Sequence, residues 1–237
     1  MRFITFMNSF SGKKIIVAGS EGFLGKIIAR SFEDKGADVV KLDLALGHDF
    51  TNESTVKKLM LEHRDSDVLV TPFAVNPLPG EASYDIFDMP LSVIDGYLKV
   101  NLLALFSVCR EFAANSPNNS AIINFSSTYG VSSPKHFIYP DGFVKNIGYT
   151  ISKAGVIGMS KYLATYLAPS VRVNTIVPGG VRGDFDPQFV QNYSKMTPMQ
   201  RMMEKDEILG AIHYLASENA SYTTGSELTV DGGWGAW

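Results

Sequence analysis

Short runs of β-branched and other apolar residues alternate along this chain with longer stretches in which apolar positions recur every three or four residues. The short runs predict strands at Lys14–Ala18, Asp38–Leu42, Val68–Thr71, Ala121–Phe125, Val171–Val177 and Glu227–Val230. The helical period is clear over Ile27, Ile28, Ser31 and Phe32. It is sustained from Leu91 to Asn115, where Ile94, Leu98, Leu102, Leu105, Cys109 and Phe112 share one stripe. Further helices are predicted over Glu53–His63, Gly148–Leu167 and Lys205–Ser217. Strand alternating with helix implies an α/β fold with a doubly wound, mainly parallel sheet flanked by helices, whose ligands lie at the carboxyl ends of the strands.

Length and composition fit one domain spanning residues 1–237. The chain has 237 residues and is 45% hydrophobic and 19% charged, enough to bury a large core. No linker, low-complexity segment or internal repeat divides it. A net charge of −3 offers no basic patch for nucleic acid, and no run approaches the ~18 apolar residues of a membrane span. Cys109 is the sole cysteine, so no internal disulfide forms, and a reducing cytoplasm is expected. Its apolar helix position marks a buried core residue, not a nucleophile. His136 has no companion at metal-ligand spacing, and no metal site is expected. Residues 1–12 read as a short N-terminal leader, interrupted by Asn8 and Ser9 and without a cleavage pattern.

The first strand runs directly into Gly19-Ser20-Glu21-Gly22-Phe23-Leu24-Gly25. A glycine triplet alone is as readily a structural turn. Between strand and helix it has a function: Gly19 permits the tight turn, Gly22 lets the backbone approach a pyrophosphate, and Gly25 lets helix and strand pack closely. These features predict a Rossmann-type dinucleotide site that includes Phe23 and Leu24. Asp43 ends the second strand eighteen residues beyond Gly25, where an acid hydrogen-bonds the adenosine ribose. A 2′-phosphate there would meet that carboxylate, and Glu21 adds a second negative charge with no arginine nearby, so NAD is expected over NADP.

Tyr149 and Lys153 stand four apart on a predicted helix and share a face. Such a pair is common on solvated helices. Yet a fixed cation close to a phenol, whose free pKa is ~10, favours the phenolate and makes it an acid/base group.

In this order, with Asn101 in Lys-Val-Asn-Leu, Ser127 in Ile-Asn-Phe-Ser-Ser, Pro178-Gly179 and the closing Val230-Asp231-Gly232-Gly233, the chain resembles the short-chain dehydrogenase/reductase family from about Lys13 onward. The resemblance implies that Ser127 holds the substrate oxygen and Tyr149 exchanges its proton. Lys153 would lower the phenol pKa and bind the nicotinamide ribose, and Asn101 would support a proton-relay water. It places Asp49 and Phe50 near the adenine and adds Phe73, Ala74, Pro178, Gly179 and Val181 to the cofactor site. Two departures weaken that site: Thr71-Pro72-Phe73-Ala74 stands where the family has Asn-Asn-Ala-Gly, and Gly183 falls where a threonine usually approaches the phosphates.

Two loops are expected to define the substrate. Pro134–Asp141 is an aromatic, proline-bracketed wall carrying Tyr139, with Tyr129 close before it. Residues 183–203, beginning just past Gly180, form a lid whose Asp184, Asp186, Gln188, Tyr193, Lys195 and Arg201 offer polar groups. The substrate set is thus Ser127, Tyr129, Tyr139, Tyr149 and Gly180. The wording of these loops, including Ser-Ser-Thr-Tyr-Gly and Asp-Gly-Gly-Trp-Gly-Ala-Trp, resembles bacterial flagellin-modification and surface-sugar oxidoreductases. An NAD-dependent exchange of hydride with a secondary alcohol or ketone on a sugar or nucleotide-sugar is therefore expected. A 3-oxoacyl-carrier-protein type of reductase and a non-catalytic NAD-binding assembly protein are the alternatives. The resemblance also implies a homodimer or homotetramer, with Trp234 and Trp237 packed either within the subunit or against a neighbour.

Overall fold

The computed structural model describes residues 9–76 and 84–237. Among them are six strands: β1 (Lys14–Ala18), β2 (Asp38–Leu42), β3 (Val68–Thr71), β4 (Ser120–Phe125), β5 (Val171–Pro178) and β6 (Glu227–Val230). All pair in parallel in the order β2-β1-β3-β4-β5-β6. The chain therefore reverses its winding between β1 and β3, which opens a crevice at the carboxyl ends of the strands.

Register explains why the sheet is apolar on both faces. Ile16 pairs with Leu69, Leu69 with Ile122, and Ile122 with Val173, so these four side chains point the same way. They pack with Val108, Phe112, Val156 and Leu163 in one core cluster. Their alternates Ile15, Val17, Val68, Val70 and Ile123 face the opposite side, against Ile28, Phe32, Ile208 and Ile212. Each such buried side chain stabilises the fold by about 1.5–3 kcal/mol. The first face is covered by α2 (Glu53–Glu62), α4 (Leu105–Asn115) and α6 (Ile147–Leu167), with α3 (Leu91–Leu98) packed on α6; α1 (Gly25–Glu33) lies on the second.

Several elements differ from expectation. The stretch from Leu91 to Asn115 is not one regular helix: Lys99–Ala104 forms a π-helical segment between α3 and α4. The buried face accordingly changes, from Tyr97 and Asn101 before the segment's end to Leu105, Val108, Cys109 and Phe112 after it. This run also meets the length and apolarity of a membrane span, contrary to the expectation that none would. In this fold it packs on α2 and α6. The stretch expected as helix over Lys205–Ser217 opens as a 3₁₀ turn, Lys205–Ile208, before α8 (Leu209–Ala216). Two further helices appear: α5 (Thr128–Val131), and α7 (Pro187–Lys195) inside the expected lid. Of the expected leader, residues 1–8 lie outside the described residues, while Phe10 is buried with its ring 4.9 Å from that of Phe32.

Candidate active site

The glycine turn is tight for a backbone reason. Gly19 adopts φ +96°, and a Cβ there would lie 2.7 Å from the Phe73 Cβ. A Cβ on Gly25 would fall 1.8 Å from the Gly19 carbonyl oxygen, and one on Gly22 3.2 Å from it. Only glycine leaves this cradle open to a pyrophosphate at the start of α1. The Ser20 hydroxyl is buried in the same turn and has no protein partner. Phe73 occupies the place of the family's asparagine-rich loop, pressing its backbone on Gly19 and its ring on Phe50 at 4.9 Å. Phe50 is buried in the core.

Asp43 sits beside this turn. One carboxylate oxygen accepts the Glu21 N–H at 2.9 Å and the other accepts the Ala45 N–H at 2.8 Å. Each oxygen keeps a second lone pair for a ribose hydroxyl. Glu21 is not the uncompensated charge expected, because the Lys26 ammonium lies 3.6 Å from its carboxylate. Asp49 is an exposed turn residue whose carboxylate accepts from the Thr51 hydroxyl and N–H, which lowers its pKa. Phe23 is half exposed, with the Lys205 ammonium 3.8 Å from its ring centroid.

Ser127, Tyr149 and Lys153 converge at the carboxyl ends of β4 and β5. Ser127 follows β4 and caps α5, its hydroxyl accepting the Tyr129 N–H at 3.1 Å. Tyr149 lies in the first turn of α6 and is 8% exposed. Burial pushes its phenol pKa up, while a hydrogen bond from Ser127 pulls it down. The lysine approaches the phenol from the sheet side. Its ammonium donates to the Phe125 carbonyl at 2.8 Å and stands 5.9 Å from the Tyr149 ring centroid. Burial lowers the Lys153 pKa to about 8. Two donors of the ammonium remain for a ribose.

Asn101 has a holding geometry. The π segment turns its amide toward the loop after β3, where Oδ1 accepts the Val75 N–H at 2.7 Å and Nδ2 donates to the Val75 carbonyl at 3.0 Å. Nδ2 also donates to the Ser152 hydroxyl at 3.1 Å, and Ser152 donates to the Tyr149 carbonyl at 2.7 Å. The side chain thus ties the loop to the catalytic helix.

The substrate side is an aromatic chamber. Tyr97, Tyr129, Ile138, Tyr149, Phe189, Tyr193 and Trp234 form one buried cluster. The Tyr139 hydroxyl donates to that of Tyr129 at 2.8 Å, and its ring stacks on Phe189 at 5.0 Å. Burial raises the pKa of both phenols. Trp234 is 1% exposed and stacks on Tyr193 at 4.2 Å within the same chain; Trp237 is exposed.

The lid is an excursion closed at its base, where Val181 bridges to Met203. Of its expected polar groups Tyr193 faces the chamber, whereas Asp186, Gln188 and Arg201 find partners within or beside the lid. Asp186 caps α7, Gln188 bonds Gln191 and Asn192, and Arg201 pairs with Glu207. Tyr193 points inward with Phe189, and the Tyr193 hydroxyl accepts the Gly180 N–H at 2.5 Å. Gly180 is therefore covered by the lid. Pro178, Gly179 and Val181 lie at the end of β5 and just past it, and Ala74 follows Phe73. At Gly183 a Cβ would meet the Phe185 and Phe23 rings at 3.1 and 3.4 Å, so aromatic carbon occupies the space near the missing threonine.

Sequence reasoning missed Lys145 and Asn76. Lys145 is 8% exposed, donates to Asn76 Oδ1, and holds its ammonium 4.6 Å from the Tyr149 ring centroid. Lys145 lies two residues before α6 begins, outside its helical face, so its spacing to Tyr149 gave no signal. Cys109 is buried as expected, its thiol pushed up to about 12 by burial. Among the described residues no cluster of metal-ligating side chains occurs.

A parallel sheet with a glycine cradle at its switch point and a Ser–Tyr–Lys cluster at its strand ends defines a dinucleotide-binding oxidoreductase. Comparison with known proteins agrees. The family model described as Enoyl-(Acyl carrier protein) reductase matches residues 25–235. The chain is 29% identical to a glucose 1-dehydrogenase of Gluconobacter oxydans, over 96% of this chain and 94% of that protein. It is 30% identical to an NADH-dependent L-xylulose reductase of Ambrosiozyma monospora, over 96% and 97%. A short-chain dehydrogenase of Leptospira borgpetersenii solved with bound NAD+ superposes with a TM-score of 0.87 at 26% identity, covering 99% of this chain and 97% of that one. The chain belongs to the short-chain dehydrogenase/reductase family.

Proposed function

We propose that this protein exchanges hydride between NAD(H) and a secondary alcohol or ketone on a small sugar or sugar alcohol. The carrying observation is the Ser127–Tyr149–Lys153 cluster, buried at the strand ends beneath aromatic rings. The glycine cradle, the unpartnered Ser20 hydroxyl and Asp43 fit a dinucleotide with a free 2′-hydroxyl. Bound there, NAD supplies the hydride acceptor. Ser127 holds the substrate oxygen, and Tyr149, as phenolate, takes the hydroxyl proton during oxidation. Lys153 holds the ribose with the donors that Phe125 leaves free, and its charge near the ring favours the phenolate. The lid and the Tyr139 wall exclude water while this happens.

Aromatic walls carrying phenol hydroxyls suit the face and hydroxyls of a sugar, and two relatives named above act on sugars. The loop wording resembling flagellin-modification and surface-sugar oxidoreductases supports, as part of this reading, a substrate from bacterial surface-glycan metabolism and a cytoplasmic enzyme. A homo-oligomer is part of this reading: Leu103 and Phe106 on the π segment and α4, and Ile151 and Tyr162 on α6, are exposed apolar residues suited to a second copy.

The matching family description favours a second reading, reduction of an acyl group on a carrier protein. That activity calls for a cationic docking face and NADPH. The net charge of −3 and Asp43 speak against both.

The test is calorimetric titration with NADH and NADPH, followed by a sugar-alcohol screen with wild type and Tyr149→Phe. NADH preference with kcat about 10²–10⁴-fold lower in the variant, and cofactor affinity unchanged, is expected. NADPH preference with turnover of a 3-oxoacyl thioester would replace this reading with the second. Cofactor binding without turnover of either substrate class would favour a non-catalytic binder.

A further inference from the structure

We propose that Lys145 is a second positioning cation for Tyr149, held over the phenol ring by Asn76 and favouring the phenolate that proton exchange requires. The geometry is specific. The Lys145 ammonium is 4.6 Å from the ring centroid, nearer than the 5.9 Å of Lys153. Lys153 is anchored to the Phe125 carbonyl, while Lys145 is anchored from the loop after β3 through Asn76 Oδ1. The same loop is clamped one residue earlier, where Asn101 binds both backbone groups of Val75. The two clamps fix the loop on either side of the peptide joining Val75 to Asn76, so the cation cannot drift from the ring without disturbing the Asn101–Ser152 tie to α6.

Energetics favour a second cation here. Among the described residues, the phenol is packed in a cluster rich in aromatic rings. Tyr129 approaches from α5, Tyr139 from the wall, Tyr193 from the lid and Tyr97 from α3, all buried or half-buried aromatics. Among the described residues, the Ser127 hydroxyl lowers the phenol pKa, and the ammoniums of Lys145 and Lys153 stand near its ring. Lys153 is also drawn toward deprotonation by its own burial, so its positive charge weakens on the alkaline side of neutrality. A cation within 5 Å of a ring in a water-poor site interacts far more strongly than the same pair in solvent.

This inference rests on Tyr149 being the proton-exchanging group of the proposed reaction, but its test needs no substrate. Ultraviolet difference titration of NAD-saturated protein from about pH 6 to about pH 11 spans the phenol range. Subtracting the Tyr149→Phe curve isolates this one phenol from the other tyrosines. Lys145→Met, which keeps the stem and removes the charge, is expected to raise the pH of Tyr149 ionisation by about one unit. Lys145→Arg is expected to stay near wild type. Equal ionisation in wild type and Lys145→Met overturns the proposal, as does a phenol protonated throughout in both. So does a rise in Lys145→Arg as large as in Lys145→Met, which would mark packing damage instead of charge. A clean shift in a protein that oxidises none of the sugar alcohols overturns the functional reading and supports this one.

Discussion

Lys153 donates to the Phe125 carbonyl oxygen at 2.8 Å, joining the catalytic helix α6 to the last residue of β4. The neighbouring Ser126 hydroxyl returns the contact, donating to the Lys153 carbonyl at 2.7 Å. These reciprocal bonds set the height of Tyr149 over the sheet, and they make Lys153 a structural as well as a chemical residue.

Burial lowers the folded pKa of Lys153 from 10.5 to about 8. A depressed folded value means that its contribution to stability is fully present above the unfolded pKa and is lost as pH falls through about 8. Lys153→Met removes this dependence. Urea unfolding of both proteins should show wild type gaining on the variant by on the order of 2 kcal/mol between pH 8 and pH 10.5. A difference that stays constant across that window would contradict it.

Gly25→Ala places a methyl 1.8 Å from the Gly19 carbonyl, whereas Gly158→Ala meets nothing within 4 Å. The first should destabilise by about 1–3 kcal/mol and weaken NADH binding. The second sits in α6 and should stabilise by about 0.5–1 kcal/mol. Thermal melts and calorimetry on the two variants measure the contrast.

Asp43→Asn keeps one acceptor for the Glu21 or Ala45 N–H and removes the charge facing the ribose. NADH affinity should fall about tenfold while NADPH loses little or gains, narrowing the preference. Unchanged NADH and NADPH dissociation constants would separate Asp43 from cofactor choice.

Tyr193→Phe leaves the Gly180 N–H without its 2.5 Å partner while keeping the ring stacked on Trp234. The loss is about 0.5–1.5 kcal/mol of lid closure. Limited proteolysis should cut faster within residues 183–203, and NADH affinity should hold.

Much of this molecule was legible because local chemistry decides it. β-branched runs such as Ile15-Ile16-Val17 have no better use than a buried parallel strand, and all six strands appear within a residue of expectation. Gly25 and Asp43 were readable because backbone proximity and charge at fixed spacing leave few options. The Tyr149–Lys153 spacing showed the pair but not its geometry, since the Phe125 carbonyl that takes the ammonium lies 28 residues away in sequence. The lid misled for a similar reason: Asp186 and Gln188 find partners within α7, which frees Phe189 and Tyr193 to turn inward. Lys145 was invisible because nothing in a loop sequence announces that a lysine will be buried over an aromatic ring.

The π segment at Lys99–Ala104 has a consequence for how this chain tolerates insertion and deletion. A wide turn of this kind is an α-helix carrying one extra residue. Deleting a residue between 99 and 104 would restore a regular helix and look harmless in composition. Because the wide turn absorbs its extra residue, Leu105, Val108 and Phe112 would keep their face on the sheet, but the local change would cost Asn101 its hold on Val75. The length of this one segment is therefore fixed by the loop that Asn101 holds, not by the core.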